Sequence, residues 1–190
     1  MTEDDLRARL VAAGVEMVTR EGSSAVLRLR EIARQAGVSH GAPRRYFPTH
    51  QALLSAIARQ GFQELGERVA RLLAAGGTPR EQLLALGRAY LEYAATNRGM
   101  FELMFRHDLL ESNRLGLRET SLPLFDVLVE LVGRARGESG AAARVAAGAL
   151  WANLHGLAQL STWGSLQLAT GLDDVEPLLR AAIDVHIGPA

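Results

Sequence analysis

The stretch that most constrains the fold is 29–48, LREIARQAGVSHGAPRRYFP. Ile32, Ala33 and Ala36 stand at i, i+1 and i+4, one narrow apolar face of a short helix. Gly37 is placed to end it, because glycine takes the left-handed conformation after a helix without a Cβ clash. Ser39 is a candidate N-cap for a second short helix. Two helices joined by a turn of three or four residues containing glycine make a helix-turn-helix. The second helix carries Arg44, Arg45 and Tyr46, side chains suited to phosphates and guanine edges. From Arg34 to Arg59 there is no Asp or Glu. A merely solvated face mixes the two signs, so this local excess of positive charge favours a polyanionic partner over a structural hairpin. Pro43 complicates the second helix: with Ser39 as N-cap, it lies where the first intrahelical N–H bond should form, which predicts a later or irregular start.

The 190 residues suffice for one large or two small domains, and 48% are apolar, enough for a substantial core. There is no cysteine, which removes disulfides and thiolate metal sites and fits a reducing, cytoplasmic setting. The formal net charge is zero, and all 21 basic residues are arginine, so only local charge points to a partner. Residues 145–172 contain no charged side chain. Asn153, His155, Gln159 and Gln167, with Gly148, Gly156 and Gly164, interrupt this run, so it reads as a buried helix rather than a membrane span.

Apolar spacing predicts helices along the whole chain. Residues 5–20 form the first, with Leu6, Leu10, Ala13 and Met17 as its stripe. Thr49 caps a long helix to about residue 75. Gly76-Gly77-Thr78-Pro79 breaks the chain, and Thr78 with Glu81 makes a capping box for a helix over 80–97. A short apolar helix over 100–105 and a loop containing Arg106, His107 and Asp108 follow. Another helix, with Pro123 inside it or delaying it, reaches 133–136. Helices over 141–163 and from Asp173 or Asp174 to about 187 complete the chain. The 141–163 helix has a stripe of small residues, Ala142, Ala146, Ala149, Asn153 and Gly156, that permits close approach of another helix. No strand pattern appears, so the fold class is all-α: a helix-turn-helix head over 1–48, a connector helix over 49–75, and a helical domain over 76–190.

The first sixty residues resemble the tetracycline-repressor (TetR) family of bacterial transcription regulators. The resemblance rests on Leu10-Val11, Ala13 and Met17-Val18 before Gly22, on Arg30-Glu31-Ile32-Ala33, and on Ala36-Gly37-Val38-Ser39. Gly41, Phe47-Pro48 and Leu53-Leu54 continue it. Trp151 with His155-Gly156 resembles the Trp…His-Gly signature of one C-terminal subgroup. The departures are Arg44 for a usual Tyr, His50-Gln51 for Lys-Glu, Arg28 for a common Thr, and Pro43 for an aliphatic core residue.

The resemblance implies a sequence-specific DNA-binding regulator, a ligand-responsive repressor in the first instance, acting on a near-palindromic double-stranded operator. It implies DNA contacts from Arg28, Arg30, Ser39, His40, Gly41, Arg44, Arg45, Tyr46 and His50. A homodimer is expected through the last two helices, whose charge-free surface is too apolar for water. A small apolar or aromatic effector is expected against Tyr90, Tyr93, Met100, Phe101, Met104, Phe125, Trp151 and His155, since Met and aromatic side chains line adaptable sites. No cofactor or metal is expected, and no membrane. The rival class is a small all-α ligand-binding protein or enzyme in which the hairpin is structural. Its support is slight: the five histidines form no H-x-H or H-E-x-x-H pattern, and there is no phosphate-binding glycine loop. His107 and Glu111 are four apart and could share a metal on a helix, but a solvated pair is the simpler reading.

Overall fold

The computed structural model describes residues 3–188 and is helical throughout, with no strand among the described residues. Eleven α-helices follow one another: α1 Glu3–Glu21, α2 Leu29–Gln35, α3 Ala42–Tyr46, α4 His50–Ala74, α5 Pro79–Thr96 and α6 Arg98–Met104. Then come α7 His107–Ser112, α8 Leu117–Arg136, α9 Gly140–Thr162, α10 Ser165–Thr170 and α11 Glu176–Ile187. Single 3-10 turns stand at Ser24–Val26 and Arg114–Gly116.

The helices gather into two compact units, and neither is continuous in sequence. The first comprises 1–64 and 97–121, the second 65–96 and 122–190. Packing therefore divides the chain differently from the linear order of head, connector and C-terminal domain. The passages from one unit to the other fall inside α4, at the end of α5 and inside α8.

In the first unit α1 packs on α2, α3 and α6. Its core is built from Leu10, Val18, Ile32, Phe47, Leu53 and Ile57, all fully buried. Two glycines set the distance of closest approach. A Cβ on Gly99 would stand 2.5 Å from the Ser23 nitrogen, 2.7 Å from the Gly22 carbonyl carbon and 2.8 Å from the Val18 oxygen, so α6 starts in direct backbone contact with the end of α1. A Cβ on Gly61 would stand 2.5 Å from the Met104 sulfur and 2.7 Å from Met100 Cγ. In the second unit α5, α9 and α11 pack on one another, around Leu83, Leu150, Leu179 and Ile183. The capping box is present: Glu81 Oε2 accepts from the Thr78 amide at 2.8 Å, and Thr78 Oγ1 accepts from the Glu81 amide at 3.3 Å.

Three expectations are corrected. The loop expected at Arg106, His107 and Asp108 is only a bend: Arg106 is the N-cap of α7, which the sequence reading missed because only Leu109 of it is buried. Helix α10 was also missed, since none of its residues is buried and it has no apolar face to read. The cap of α3 is Gly41 rather than Ser39. Pro43 then falls at the second helical position, where its missing N–H is harmless, and the Ser39 carbonyl accepts from the Ala42 amide at 3.0 Å. Helix α8 runs from Leu117 straight through Pro123.

Candidate functional site

The turn between α2 and α3 is fixed first by backbone hydrogen bonds. Gly37 has φ +66°, the Val38 amide donates to the Ala33 carbonyl at 3.0 Å, and the Gly37 amide donates to the Arg34 carbonyl at 3.1 Å. These are the two bonds of a Schellman motif, which satisfies helix-end carbonyls that would otherwise face water or core. Arg9 of α1 donates to the Ala36 carbonyl at 2.6 Å, a third tie on the same helix end. Nothing in the sequence marks Arg9, because its partner is 27 residues away.

With the turn held, α3 buries Ala42 and Pro43 and exposes Arg44 and Arg45. Pro43 thus keeps the core place that the resemblance gives to an aliphatic residue. Arg28, Arg30, Ser39, His40 and Gly41 are exposed as well, and Tyr46 is half-buried. His50 stands at the start of α4, whose N-cap Thr49 accepts from the Ala52 amide at 3.1 Å. The His50 Nε2 lies against the Leu27 carbonyl. A carbonyl only accepts, so this nitrogen carries the hydrogen and only Nδ1 is left for another partner. All nine residues read from the sequence as DNA contacts belong to the first unit. One further anchor stands beside them: Asp108 of α7 accepts two hydrogen bonds from Arg106, at 3.0 and 2.8 Å, and one from Gln51 at 3.3 Å. The Arg106 guanidinium holds the Asp108 carboxyl below the usual carboxylate range.

The residues expected around an effector fall into two groups. Met100, Phe101 and Met104 are buried in the first unit, where the Phe101 ring lies 4.9 Å from that of Phe105. Tyr90, Tyr93, Phe125, Trp151 and His155 belong to the second. Tyr93 is fully buried, with the Arg68 guanidinium 5.2 Å over its ring. The other four meet across α5, α8 and α9. Phe125 and Trp151 pack edge to face at 6.2 Å, the Trp151 and His155 rings stand 5.8 Å apart, and the Tyr90 hydroxyl is 2.7 Å from His155 Nδ1. Burial raises the Tyr90 phenol far above its usual range, against a smaller opposing effect of its hydrogen bond with Trp151. Burial also lowers His155. Gln159, one turn beyond His155, was not singled out from the sequence; its amide nitrogen lies 3.5 Å from His155 Nε2.

His107 and Glu111 do lie one helical turn apart, as an exposed pair 3.7 Å apart. No cluster of three metal-ligating side chains occurs among the described residues, and none of the described helices is long and apolar enough to cross a membrane.

Residues 83–186, more than half of the chain, match the family described as the tetracyclin repressor-like, C-terminal domain. The chain belongs to this family of transcriptional regulators. It is 40% identical over 81 residues to the HTH-type transcriptional regulator BetI of Stenotrophomonas maltophilia, an alignment covering 42% of this chain and 41% of that protein. The chain spans about two fifths of the length of the curated relatives it matches. A protein of unknown function from Rhodococcus sp. RHA1 shares the fold with a TM-score of 0.77 and 29% identity, over 95% of this chain and 93% of that one. The multidrug binding protein EbrR, complexed with imidazole, has a TM-score of 0.61 and 25% identity, over 97% and 95% of the two chains.

Proposed function

We propose that the protein is a homodimeric, ligand-responsive DNA-binding regulator, a repressor of cytoplasmic location that acts on a near-palindromic operator and answers to a small apolar or aromatic effector. The observation that carries the reading is the first unit's helix-turn-helix. A glycine-closed turn presents Arg44 and Arg45 on one exposed short helix, with Arg28, Arg30 and His40 exposed nearby. Charge-assisted contacts to phosphates position such a head, and bidentate arginine contacts read guanine. In the DNA-bound state Ser39, Gly41, Tyr46 and His50 support the same surface, His50 through its Nδ1 edge.

The dimer is supported by the outer face of α9 and α11. Val145 and Val185 are 73% and 77% exposed, and Ala142, Ala149 and Asn153 are exposed on α9 as well. Small side chains allow a second copy to approach closely, and a two-fold axis there places two heads on half-sites about 34–36 Å apart or a multiple of that. The effector site is supported by the aromatic group Tyr90, Phe125, Trp151 and His155, with Tyr93 behind it. The relatives named as HTH-type regulators, and the multidrug binding protein of the same fold, favour this reading over an enzyme.

Selection of bound sequences from a random DNA library tests the proposal. Recovery of a sequence with two symmetric half-sites supports it. Failure to enrich any sequence, with the protein folded and dimeric, overturns it.

A further inference from the structure

His50 is the first residue of α4, a helix of 25 residues. Its ring is exposed, yet it is not free to turn: Nε2 lies 2.5 Å from the Leu27 carbonyl, 23 residues earlier in the chain. Leu27 directly precedes Arg28, the N-cap of α2. The ring therefore joins the starts of two helices, where backbone dipoles leave partial positive charge. A carbonyl only accepts, so Nε2 carries a hydrogen in every protonation state of the ring. In the neutral ring that leaves Nδ1 bare, and a bare ring nitrogen is an acceptor. No other hydrogen bond of this ring occurs among the described residues.

A DNA phosphate offers only acceptor oxygens, and a bare Nδ1 meets them with a lone pair of its own. The geometry points to a proton-linked DNA contact: His50 binds a phosphate through Nδ1 only after that nitrogen has taken a proton from solvent, so each head gains affinity for DNA as pH falls. This inference rests on the DNA-binding reading above and names a regulation of that surface. The charged groups of the neighbouring elements favour the protonated ring's ligand being an outside anion. Arg28 and Arg30 are exposed beside the Leu27 carbonyl and on α2, Arg44 and Arg45 are exposed on α3, and Arg7 of α1 lies over the Phe47 ring. The acids there are already matched: Glu31 pairs with Arg34, and Asp108 of α7, which Gln51 reaches, pairs with Arg106. A lysine or arginine in place of His50 would hold a phosphate at any physiological pH. Histidine makes the contact conditional, because its charge changes between about pH 5 and 8.

The test is sequence-independent, as a phosphate contact should be, and uses the full chain with a duplex of random sequence at low salt. Affinity should rise about tenfold per head from pH 8 to pH 6, the size of one hydrogen bond to a charged group, and by no more than tenfold per pH unit per head, the limit for one proton. The slope of log affinity against log salt should steepen by about one per head over the same interval. His50→Gln, whose amide can still donate to Leu27, should be flat with pH at the weak level. His50→Arg should be flat at the strong level. His40→Gln, which alters the other exposed histidine of this surface, should keep the dependence. In protein labelled with 15N-histidine, His50 at pH 8 should carry its hydrogen on Nε2, and added DNA at pH 7 should increase the doubly protonated fraction. A hydrogen on Nδ1 at pH 8, affinity equal at the two pH values, or a dependence that survives His50→Gln overturns the proton link and leaves the regulator standing. Absence of DNA binding by the folded protein and by His50→Arg at every pH overturns the regulator reading and the link together.

Discussion

In the second unit Val145, Trp163, Leu168 and Val185 each stand more than half exposed, and every other exposed large apolar side chain among the described residues lies there too. The first unit shows the opposite surface. Its large apolar residues are turned inward, and α2 and α3 expose Arg28, Arg30, Arg34, Arg44 and Arg45. Both units have well-filled interiors, so the contrast does not come from stability within the chain. It lies in what each surface suits under the proposed function: a partner with negative charge for one, an apolar partner for the other. Area removed from water stabilises at about 25 cal/mol per Å², whereas phosphate contacts are paid back through released counterions and weaken with salt. The two surfaces are therefore separable by experiment.

The largest expected effect comes from placing charge on the apolar surface. Val145→Glu together with Val185→Glu should give a folded monomer by sedimentation. Because two linked heads bind far more tightly than one, operator affinity should fall roughly 10²–10⁴-fold. A dimer that survives both substitutions would move the interface away from α9 and α11, and the contrast drawn above would lose its second half.

Next is the interior of the first unit. Gly99→Ala would drive a Cβ against three backbone atoms, none of which can rotate away. The cost should be about 1–3 kcal/mol, typical of overpacking, measured by urea unfolding. Gly61→Ala meets the ends of Met100 and Met104 instead, and these flexible side chains should yield more cheaply. Equal losses at the two positions would show that the approach of α6 to α1 is looser than the geometry indicates.

The charged surface should respond differently at two adjacent residues. Arg44 and Arg45 point about 100° apart on α3. Arg45→Ala should cost roughly 1–3 kcal/mol on the selected operator and much less on scrambled DNA. Arg44→Ala should weaken both and lower the slope of log affinity against log salt by about one per site. The reverse pattern would exchange the two roles.

The smallest effect is a dependence on pH confined to the second unit. Burial holds His155 below the ordinary value of 6.5; at His186 burial is again the first cause, with Arg136 adding to it. The unfolded chain binds protons there more readily than the folded one. Stability is therefore full above about pH 6.5 and declines as pH falls from that value through the lowered native pKa. Thermal melts at about pH 7.5 and pH 5.5 should show the decline, and His155→Gln with His186→Gln should flatten it.

Much of this was readable from the residues alone. The helix order came from apolar spacing, and the Gly37 turn, the Thr78–Glu81 box and the Thr49 cap came from local chemistry, which acts over three or four residues. Helices α7 and α10 were not readable, because a helix with at most one buried residue leaves no period. The hydrogen bonds of Arg9, Asp108 and Gln159 were hidden for different reasons. The first two reach across 27 and 57 residues. The third joins neighbours on one helix and gains meaning only from a tyrosine on another. Likewise the aromatic residues expected around an effector could be named but not sorted, since nothing in their types told which unit would bury them.

The three passages of the chain between its units bear on how such a protein can change over generations. Two of them lie within continuous helices, α4 and α8. The segment 97–121, which supplies Met100, Phe101, Leu103 and Met104 to the first unit's interior, is encoded between two segments of the second. No single crossover between genes can transplant the first unit whole. A recombinant joined at residue 64 would carry its arginines without the residues that bury α4, and would need that surface refilled by its new neighbour. Under the proposed function, new DNA specificity in this architecture comes more readily by replacing single exposed residues on α2 and α3 than by exchanging modules.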